Sequence, residues 1–171
     1  MLKKIARLRV PLGFLFGLLA LWLADPTRQS ILWGAIVALA GESIRIWAAG
    51  HLEKSREVTA SGPYAWTRHP LYFGSTLIGL GLAIGAASIA VTLLVAGYLA
   101  VTLTAAIRTE EAHLTEKFGA AYPDYRAGRH SVKRRFSLER AMRNREYRAA
   151  IGVAVVLAVL AGKVLLQTWA A

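Results

Sequence analysis

The segment Ser61-Gly-Pro-Tyr-Ala-Trp-Thr-Arg-His-Pro-Leu-Tyr-Phe-Gly74 leads directly into the longest uncharged run of this 171-residue chain. The run covers residues 71–107 and contains no Asp, Glu, Lys or Arg. Because one transmembrane helix needs about 20 apolar residues, the run predicts two helices. The turn between them is expected at Gly85-Ala-Ala-Ser88. The donors, cation and aromatic rings in front of the run predict a ligand-binding loop at the membrane–water boundary.

Three further apolar blocks lie outside this run and complete the predicted membrane domain. Hydrophobic residues make up 56% of the chain and its mean hydropathy is +0.43, which exceeds the values of ordinary globular domains. We therefore expect an all-α, polytopic membrane protein with about five transmembrane helices, formed by a single domain over residues 1–171. The predicted spans are residues 10–24, 31–50, 71–85, 88–107 and 149–170.

Basic residues are concentrated on one side of the predicted membrane topology. Four lie before the first span, three in residues 51–70 and eleven in residues 108–148, out of 21 Lys and Arg in all. The positive-inside rule places these segments and the amino terminus in the cytoplasm, with an inner-membrane location if the chain is bacterial. Anionic headgroups account for the net charge of +11, and no nucleic-acid-binding motif accompanies it. We expect a multi-pass membrane protein that contacts lipids and does not bind nucleic acid.

Residue types exclude several chemistries. The chain has no cysteine, so disulfides, thiolate nucleophiles and iron–sulfur sites are absent. His51, His69 and His130 lack zinc-binding spacing, and no metal is expected. The amino-terminal basic and apolar pattern is interpreted as an anchor, since Leu-Ala-Asp-Pro-Thr is a poor cleavage site for a signal peptide. Lys163, inside the last span, is interpreted as a structural residue that extends its amine toward the interface.

Small residues at four-residue spacing are expected to form the helix contacts. The pairs and triplet are Gly34 and Ala38, Gly81 and Gly85, and Ala154, Ala158 and Gly162. On the cytoplasmic side, residues 108–118 are predicted to continue the fourth helix until Gly119, and residues 120–126 to form a short helix. The rest of the segment 108–148, which is rich in Arg and Lys, is expected to lie along the lipid headgroups.

Two pairs of charged residues are candidates for a functional role. Glu42 and Arg45 lie three residues apart in the second span, where they form either a functional site or an internal ion pair. Glu110 and Glu111 are adjacent and therefore point to different faces of their helix. One can face a cytosolic pocket while the other faces solvent or Arg108; the alternative is a solvated helix turn.

The order of these elements resembles a known superfamily. Gly62-Pro-Tyr-x-x-x-Arg-His-Pro-x-Tyr-x-Gly74 is followed by two spans and then by Glu110-Glu-x-x-Leu-x-x-x-Phe-Gly-x-x-Tyr-x-x-Tyr125. This arrangement resembles the isoprenylcysteine carboxyl methyltransferases and phospholipid methyltransferases, integral-membrane enzymes that use S-adenosylmethionine. Arg45-Ile-Trp-Ala resembles the Arg-Leu-Trp-Ala of bacterial members, and the likeness covers about residues 41–136.

The resemblance implies roles for individual residues. The expected cofactor-binding residues are Ser61, Gly62, Pro63, Tyr64, His69, Pro70, Tyr72 and Glu111, with Gly62 allowing close approach of the ligand. Tyr64, Trp66 or Tyr72 is expected to face the sulfonium as a cation–π partner. Arg68, Glu110 and Glu111 are the expected catalytic residues. Arg68, Arg108 and Arg45 are the expected substrate-binding residues.

The methyl acceptor implied by the resemblance is lipophilic and enters from the bilayer. An isoprenylcysteine-type carboxylate is favoured, with Arg68 orienting its charge. The amine of phosphatidylethanolamine is the alternative, and Glu110 or Glu111 is then the candidate base. Two other classes compete: NADPH-dependent membrane sterol reductases, which share Arg-His-Pro-x-Tyr-x-Gly, and a non-enzymatic membrane scaffold.

Overall fold

The computed structural model describes residues 2–54, 56–129 and 134–170, and in this part of the chain all regular structure is helical. Five long apolar helices and two short ones follow one another, with a single 3-10 turn at Gly62–Ala65. The helices are α1 (Leu2–Leu23), α2 (Arg28–Ala49), α3 (Pro70–Ala86), α4 (Ile89–Phe118), α5 (Ala121–Arg126), α6 (Leu138–Arg143) and α7 (Tyr147–Ala170).

The predicted all-α membrane fold is confirmed. By length and composition, α2, α4 and α7 are able to cross a membrane. The apolar part of α1, Gly13–Leu23, and the 17-residue α3 are shorter apolar helices. The five apolar helices match the predicted number, although α1 begins at Leu2 and not near residue 10.

The helix ends follow the sequence signals. α3 ends at Ala86, and Ala87 takes a left-handed conformation with φ of 49°, so the turn lies where it was predicted. α4 continues without a break to Phe118 and stops at Gly119, whose φ is +52°. A glycine is suited to this stop because it reaches positive φ without a steric penalty. The short helix predicted for residues 120–126 is α5.

α2 and α3 pack backbone against backbone through small residues, as expected. A Cβ on Gly34 would lie 2.5 Å from the carbonyl oxygen of Gly81, and a Cβ on Gly41 would lie 2.7 Å from that of Gly74. The corresponding prediction for α7 is wrong, because Ala154 and Ala158 are exposed and Gly162 faces open space. α7 instead packs through larger side chains, and the buried residues are Val153, Leu160 and Val164.

Lys163 is a structural residue, and its amine has specific partners at one end of α1. Its Nζ donates to the carbonyl oxygens of Leu21 at 3.0 Å, Trp22 at 3.3 Å and Ala24. These carbonyls lie at the carboxyl end of α1, where the last turn of a helix has no partners of its own. The cation therefore caps α1 and ties it to α7.

Replacing Lys163 with methionine is expected to lower the free energy of unfolding by about 1–3 kcal/mol, since the carbonyls lose a charged donor. Thermal unfolding in detergent measures this loss. Arg28→Met removes an exposed cation and serves as the control, with an expected change within about 0.5 kcal/mol. Equal losses in the two variants would contradict the capping role.

Part of the basic segment that precedes α7 folds against the end of α2, a contact that the sequence did not predict. Glu53 Oε1 accepts from Arg140 at 2.7 Å and Arg143 at 3.3 Å, and Arg134 lies 3.6 Å away. The hydrogen bond from Arg140 holds the pKa of Glu53 below its usual value. Asn144 donates to two carbonyls at the end of α2. An acidic residue and unpaired helix carbonyls thus provide the anchors. His130 lies outside the described residues.

Candidate functional site

A cavity of about 500 Å³, here called the polar chamber, lies where α3 and α4 leave the apolar part of the bundle. Its walls come from residues 52–54 and 57–59, the segment from Tyr64 to Tyr72, the end of α4, and α5. The volume falls within the range of small-molecule sites. Its polar and aromatic lining consists of Glu53, Lys54, Glu57, Thr59, Tyr64, Arg68, His69, Tyr72, Thr109, Glu110, His113, Lys117, Phe118, Tyr122 and Tyr125.

The Gly62–Tyr64 turn supports this chamber from behind. Gly62 has a φ of +60°, and a Cβ there would lie 2.6 Å from the Nδ1 of buried His51. Glycine is therefore required at residue 62 because the turn has a positive φ and because His51 leaves no room for a side chain. We had expected this glycine to allow close approach of a ligand. Ser61, Gly62 and Pro63 do not line the chamber, while Tyr64 does. These three residues therefore position Tyr64 at the chamber wall.

Pro70 is the first residue of α3, where the missing N–H of proline costs nothing. It fixes the start of the helix directly after Arg68 and His69, and all three residues line the chamber. The sequence Arg-His-Pro thus places a cation and an imidazole at the chamber wall at the point where the chain enters the apolar helix.

Glu110 and Glu111 have different surroundings. Glu110 lines the polar chamber. Glu111 does not; its Oε1 accepts from the His69 Nε2 at 3.1 Å, the Tyr122 hydroxyl at 3.1 Å and the Arg68 Nη1 at 3.4 Å. One carboxylate oxygen therefore joins α4 to α5 and to the segment before α3. This arrangement makes Glu110 the residue available to a ligand and Glu111 a positioning residue.

Replacing Glu111 with glutamine is expected to loosen α5, because a neutral amide is a weaker acceptor for three donors. We expect amide hydrogen exchange in residues 121–126 to accelerate about tenfold, equivalent to about 1.4 kcal/mol of local stability. Glu116→Gln, on the exposed surface of the same helix, is the matched control. Unchanged exchange in the Glu111 variant would contradict the positioning role.

Tyr122 and Tyr125 hold α5 against the site, a role that the sequence did not reveal. The Tyr125 hydroxyl donates to the carbonyl oxygen of Tyr64 at 2.6 Å. Burial raises the pKa of Tyr125 to about 12, and burial together with nearby Glu111 raises that of Tyr122 to about 12. Both hydroxyls therefore stay protonated and remain donors at neutral pH. The signal in the sequence was their place at the end of the Glu110–Tyr125 motif.

Two other predicted residues lie outside the chamber. Trp66 is 81% exposed, and its ring packs edge-on against Trp47 with the centroids 5.3 Å apart. Of the three aromatic residues expected near a sulfonium, only Tyr64 and Tyr72 line the chamber. Arg108 is exposed and does not line it.

Arg45 lines a second cavity of about 440 Å³, here called the middle chamber. Its main partner is Glu146 at the start of α7, with Nε and Oε1 2.6 Å apart, while Glu42 lies 3.9 Å away. The predicted pair with Glu42 is thus a loose contact, and both oxygens of buried Glu42 lack a hydrogen-bond partner in the described part of the chain. Ser75 accepts from Arg45 Nη1 at 2.5 Å. Nothing in the sequence linked Arg45 to Glu146, which is 101 residues away.

A third cavity of about 290 Å³, here called the apolar chamber, lies deeper in the bundle between α1, α3, α4 and α7. The middle chamber shares Tyr72 and Ala106 with the polar chamber. It shares Ser75, Tyr98 and Leu99 with the apolar chamber. The three chambers are therefore stacked along α3 and α4, from a charged end to an apolar end.

Within the described residues, no group of three or more His, Asp or Glu side chains is arranged to hold a metal ion. The polar chamber presents carboxylates, cations, imidazoles and phenols as its chemically active groups.

Comparison with known proteins gives three relatives that each match part of the chain. Cobalt-zinc-cadmium resistance protein CzcN of Cupriavidus metallidurans is 40% identical over 43% of this chain and 35% of its own length. Protein-S-isoprenylcysteine O-methyltransferase of Schizosaccharomyces pombe is 34% identical over 51% of this chain and 37% of its own length. Nickel-cobalt-cadmium resistance protein NccN of Alcaligenes xylosoxydans xylosoxydans is 30% identical over 61% of this chain and 48% of its own length. The chain thus spans about a third to a half of these relatives.

No solved structure matches the chain. The family model for phospholipid methyltransferase matches residues 12–121, which include the second half of α1, all of α2 to α4 and the segment that forms most of the polar chamber. This match and the Schizosaccharomyces relative confirm the superfamily resemblance found in the sequence. Since the matched residues make up more than half of the chain, the protein belongs to the phospholipid methyltransferase family.

Proposed function

We propose that the protein is a membrane methyltransferase that transfers the methyl group of S-adenosylmethionine to a lipophilic acceptor. An isoprenylcysteine-type carboxylate is the favoured acceptor. The observation that carries the proposal is the polar chamber itself, in which Arg68, His69 and Glu110 meet beside a path into the apolar helices. A chamber of this kind suits a charged cofactor on one side and an amphiphile on the other.

The groups in the polar chamber fit the charges of the cofactor. The Glu110 carboxylate suits an α-ammonium group, and the rings of Tyr64 and Tyr72 suit a sulfonium. His69 Nε2 is engaged by Glu111, so Lys54 and Lys117 are the cations available to the cofactor carboxylate. When bound, S-adenosylmethionine supplies an electrophilic methyl group. The protein has to align that group with the acceptor and keep water away from it.

Arg68 is the group best suited to orient a carboxylate acceptor. It lines the chamber, and its side chain remains 45% exposed although it contacts Glu111. A carboxylate is already a nucleophile at neutral pH and needs no general base, so Arg68 has only to hold its charge in place.

Phospholipid N-methylation is the second candidate, and Glu110 favours it. An amine acceptor must lose a proton before it can react, and Glu110 is a carboxylate within the chamber that can accept one. The family match supports both candidates, because the family is named for phospholipid substrates while the Schizosaccharomyces relative is named for an isoprenylcysteine substrate.

We infer that the polar chamber faces the cytoplasm, with an inner-membrane location if the chain is bacterial. The basic residues that flank the membrane lie at this end of the helices, as the positive-inside rule requires. S-adenosylmethionine is a cytoplasmic metabolite, so this orientation also gives the chamber access to its cofactor.

The two competing classes explain the chamber less well. NADPH carries three phosphate groups, and the Glu110 carboxylate in the polar chamber repels a phosphate placed beside it. A scaffold that binds only anionic lipid does not explain the half-buried junction of Glu111, His69 and Tyr122.

The acceptor is tested with protein purified into lipid nanodiscs and supplied with radiolabelled S-adenosylmethionine. A prenylcysteine analogue, phosphatidylethanolamine and a total lipid extract are offered in parallel. We expect label in the prenylcysteine analogue that mild base releases, since esters are base-labile. Base-stable label in phosphatidylethanolamine would establish the second candidate. Absence of transfer to any of these acceptors would overturn the proposed function.

A further inference from the structure

The stacked chambers have a polarity that changes along a single line. On α4, the lining passes from Glu110 in the polar chamber through Thr102 in the middle chamber to Val91 in the apolar chamber. At 1.5 Å per residue, Glu110 and Val91 are about 28 Å apart along the helix. This length is close to the thickness of the hydrocarbon core, about 30 Å. The path therefore runs most of the way across the hydrocarbon core and is long enough to hold a whole amphiphile parallel to the surrounding lipids.

Among the described residues, charged side chains line the polar chamber and the middle chamber but not the apolar chamber. The middle chamber still contains Arg45 and Glu146, whereas the described residues that line the apolar chamber carry no charge. An apolar cavity of this kind takes hydrocarbon, because polar groups would lose their hydrogen bonds with water there. If the proposed function is correct, the acceptor tail is the part that enters it.

Tyr98 lies at the boundary between the middle and apolar chambers and lines both. Its ring reaches from α4 toward α1, where the ring of Phe16 lies with its centroid 5.6 Å away. The Tyr98 hydroxyl would lie 2.9 Å from a Cβ on Gly13. The tyrosine therefore fills the boundary, and its position depends on the space left by a glycine of α1.

We propose that Tyr98 determines the length of acceptor chain that the protein accepts. This inference rests on the proposed function, because it requires an amphiphilic acceptor whose tail passes from the middle chamber into the apolar chamber. The ring limits how much of the tail enters, and Gly13 keeps the ring in its place. Removing the ring opens the boundary, whereas a side chain at residue 13 pushes the ring and narrows it.

The test measures binding of prenyl thioether carboxylates with five, ten, fifteen and twenty carbons to protein in nanodiscs, without S-adenosylmethionine. The readout is the ratio of variant to wild-type affinity at each length, in which partitioning into the bilayer cancels. For Tyr98→Ala, we expect this ratio to be about tenfold higher for the twenty-carbon chain than for the five-carbon chain. This difference is the gain in affinity from burying two more methylenes. Gly13→Leu is expected to shift the ratio in the opposite direction.

Phe14→Ala and Gly97→Leu are the controls, because Phe14 is 74% exposed and a side chain at Gly97 meets open space. A purely structural role for Tyr98 would weaken all lengths equally, and an unchanged length profile in both variants would overturn the inference. If the profile shifts but no methyl transfer occurs, only the proposed function fails. If transfer occurs with an unchanged profile, only this inference fails. Absence of binding at every length overturns this inference together with the isoprenylcysteine-type acceptor.

Discussion

Replacing Gly81 with leucine is expected to prevent α2 and α3 from packing and to leave little folded protein. A Cβ at this position would overlap the backbone nitrogen of Ala38 and would lie 2.5 Å from the carbonyl oxygen of Gly34. Both contacts are with backbone, so no side chain can move to relieve them. Overpacking of a core costs about 1–3 kcal/mol where neighbours adjust, and more is expected here because two helices must separate. Since proteins are stable by only about 5–15 kcal/mol, this is a large fraction of the total.

Size-exclusion chromatography and thermal unfolding of the purified variants measure this effect. Gly97→Leu is the matched control, because a side chain at Gly97 in α4 meets nothing within 4 Å. We expect the control to behave as the wild type and the Gly81 variant to aggregate or to unfold at a much lower temperature. A Gly81 variant that unfolds at the same temperature as the control would show that the close α2–α3 contact is not needed.

Replacing Glu110 with glutamine is expected to lower kcat/KM for methyl transfer about 100-fold while leaving the fold intact. Glu110 lines the polar chamber, and a hydrogen bond to a charged group contributes about 1.5–3 kcal/mol. The loss follows whether the carboxylate holds the cofactor ammonium or accepts a proton from an amine acceptor. The affinity for S-adenosylhomocysteine separates these two roles, because it falls only in the first.

Glu111→Gln is the comparison for this experiment, since it changes the adjacent residue in the same way. Its carboxylate is turned toward His69 and Tyr122, so we expect the Glu111 variant to lose stability in α5 more than the Glu110 variant does. Activity that is lost equally in Glu110→Gln and in the exposed Glu116→Gln would contradict a role for Glu110 in the chamber.

The sequence was sufficient to predict the features that depend on local chemistry. The long stretches without charged residues predicted the apolar helices, and Gly119 correctly predicted the end of α4. The division of Glu110 and Glu111 between two faces follows from helix geometry alone, although only the structure shows which of them faces the chamber. The resemblance found in the sequence is confirmed by the family match.

Features that depend on contacts between distant segments were not predictable. Glu146 lies in a strongly basic segment, and nothing local indicates that it pairs with Arg45. The sequence alone indicates that Lys163 lies near a membrane surface. The structure shows that its partner is the carboxyl end of α1. Small residues on α7 suggested helix contacts, but spacing alone does not show which face of a helix meets the bundle. The basic segment before α7 likewise folds onto Glu53 because of a partner far away in the sequence.

Binding of S-adenosylhomocysteine and of NADPH to the wild-type protein in nanodiscs, measured by titration calorimetry, tests the central claim most directly. S-adenosylhomocysteine is the demethylated form of the proposed cofactor and binds without reacting. We predict one saturable site for it per chain and no detectable heat with NADPH, because the Glu110 carboxylate of the polar chamber attracts the ammonium group of S-adenosylhomocysteine and repels phosphate. Saturable binding of NADPH without binding of S-adenosylhomocysteine would contradict the claim, and absence of binding by either ligand would contradict it equally.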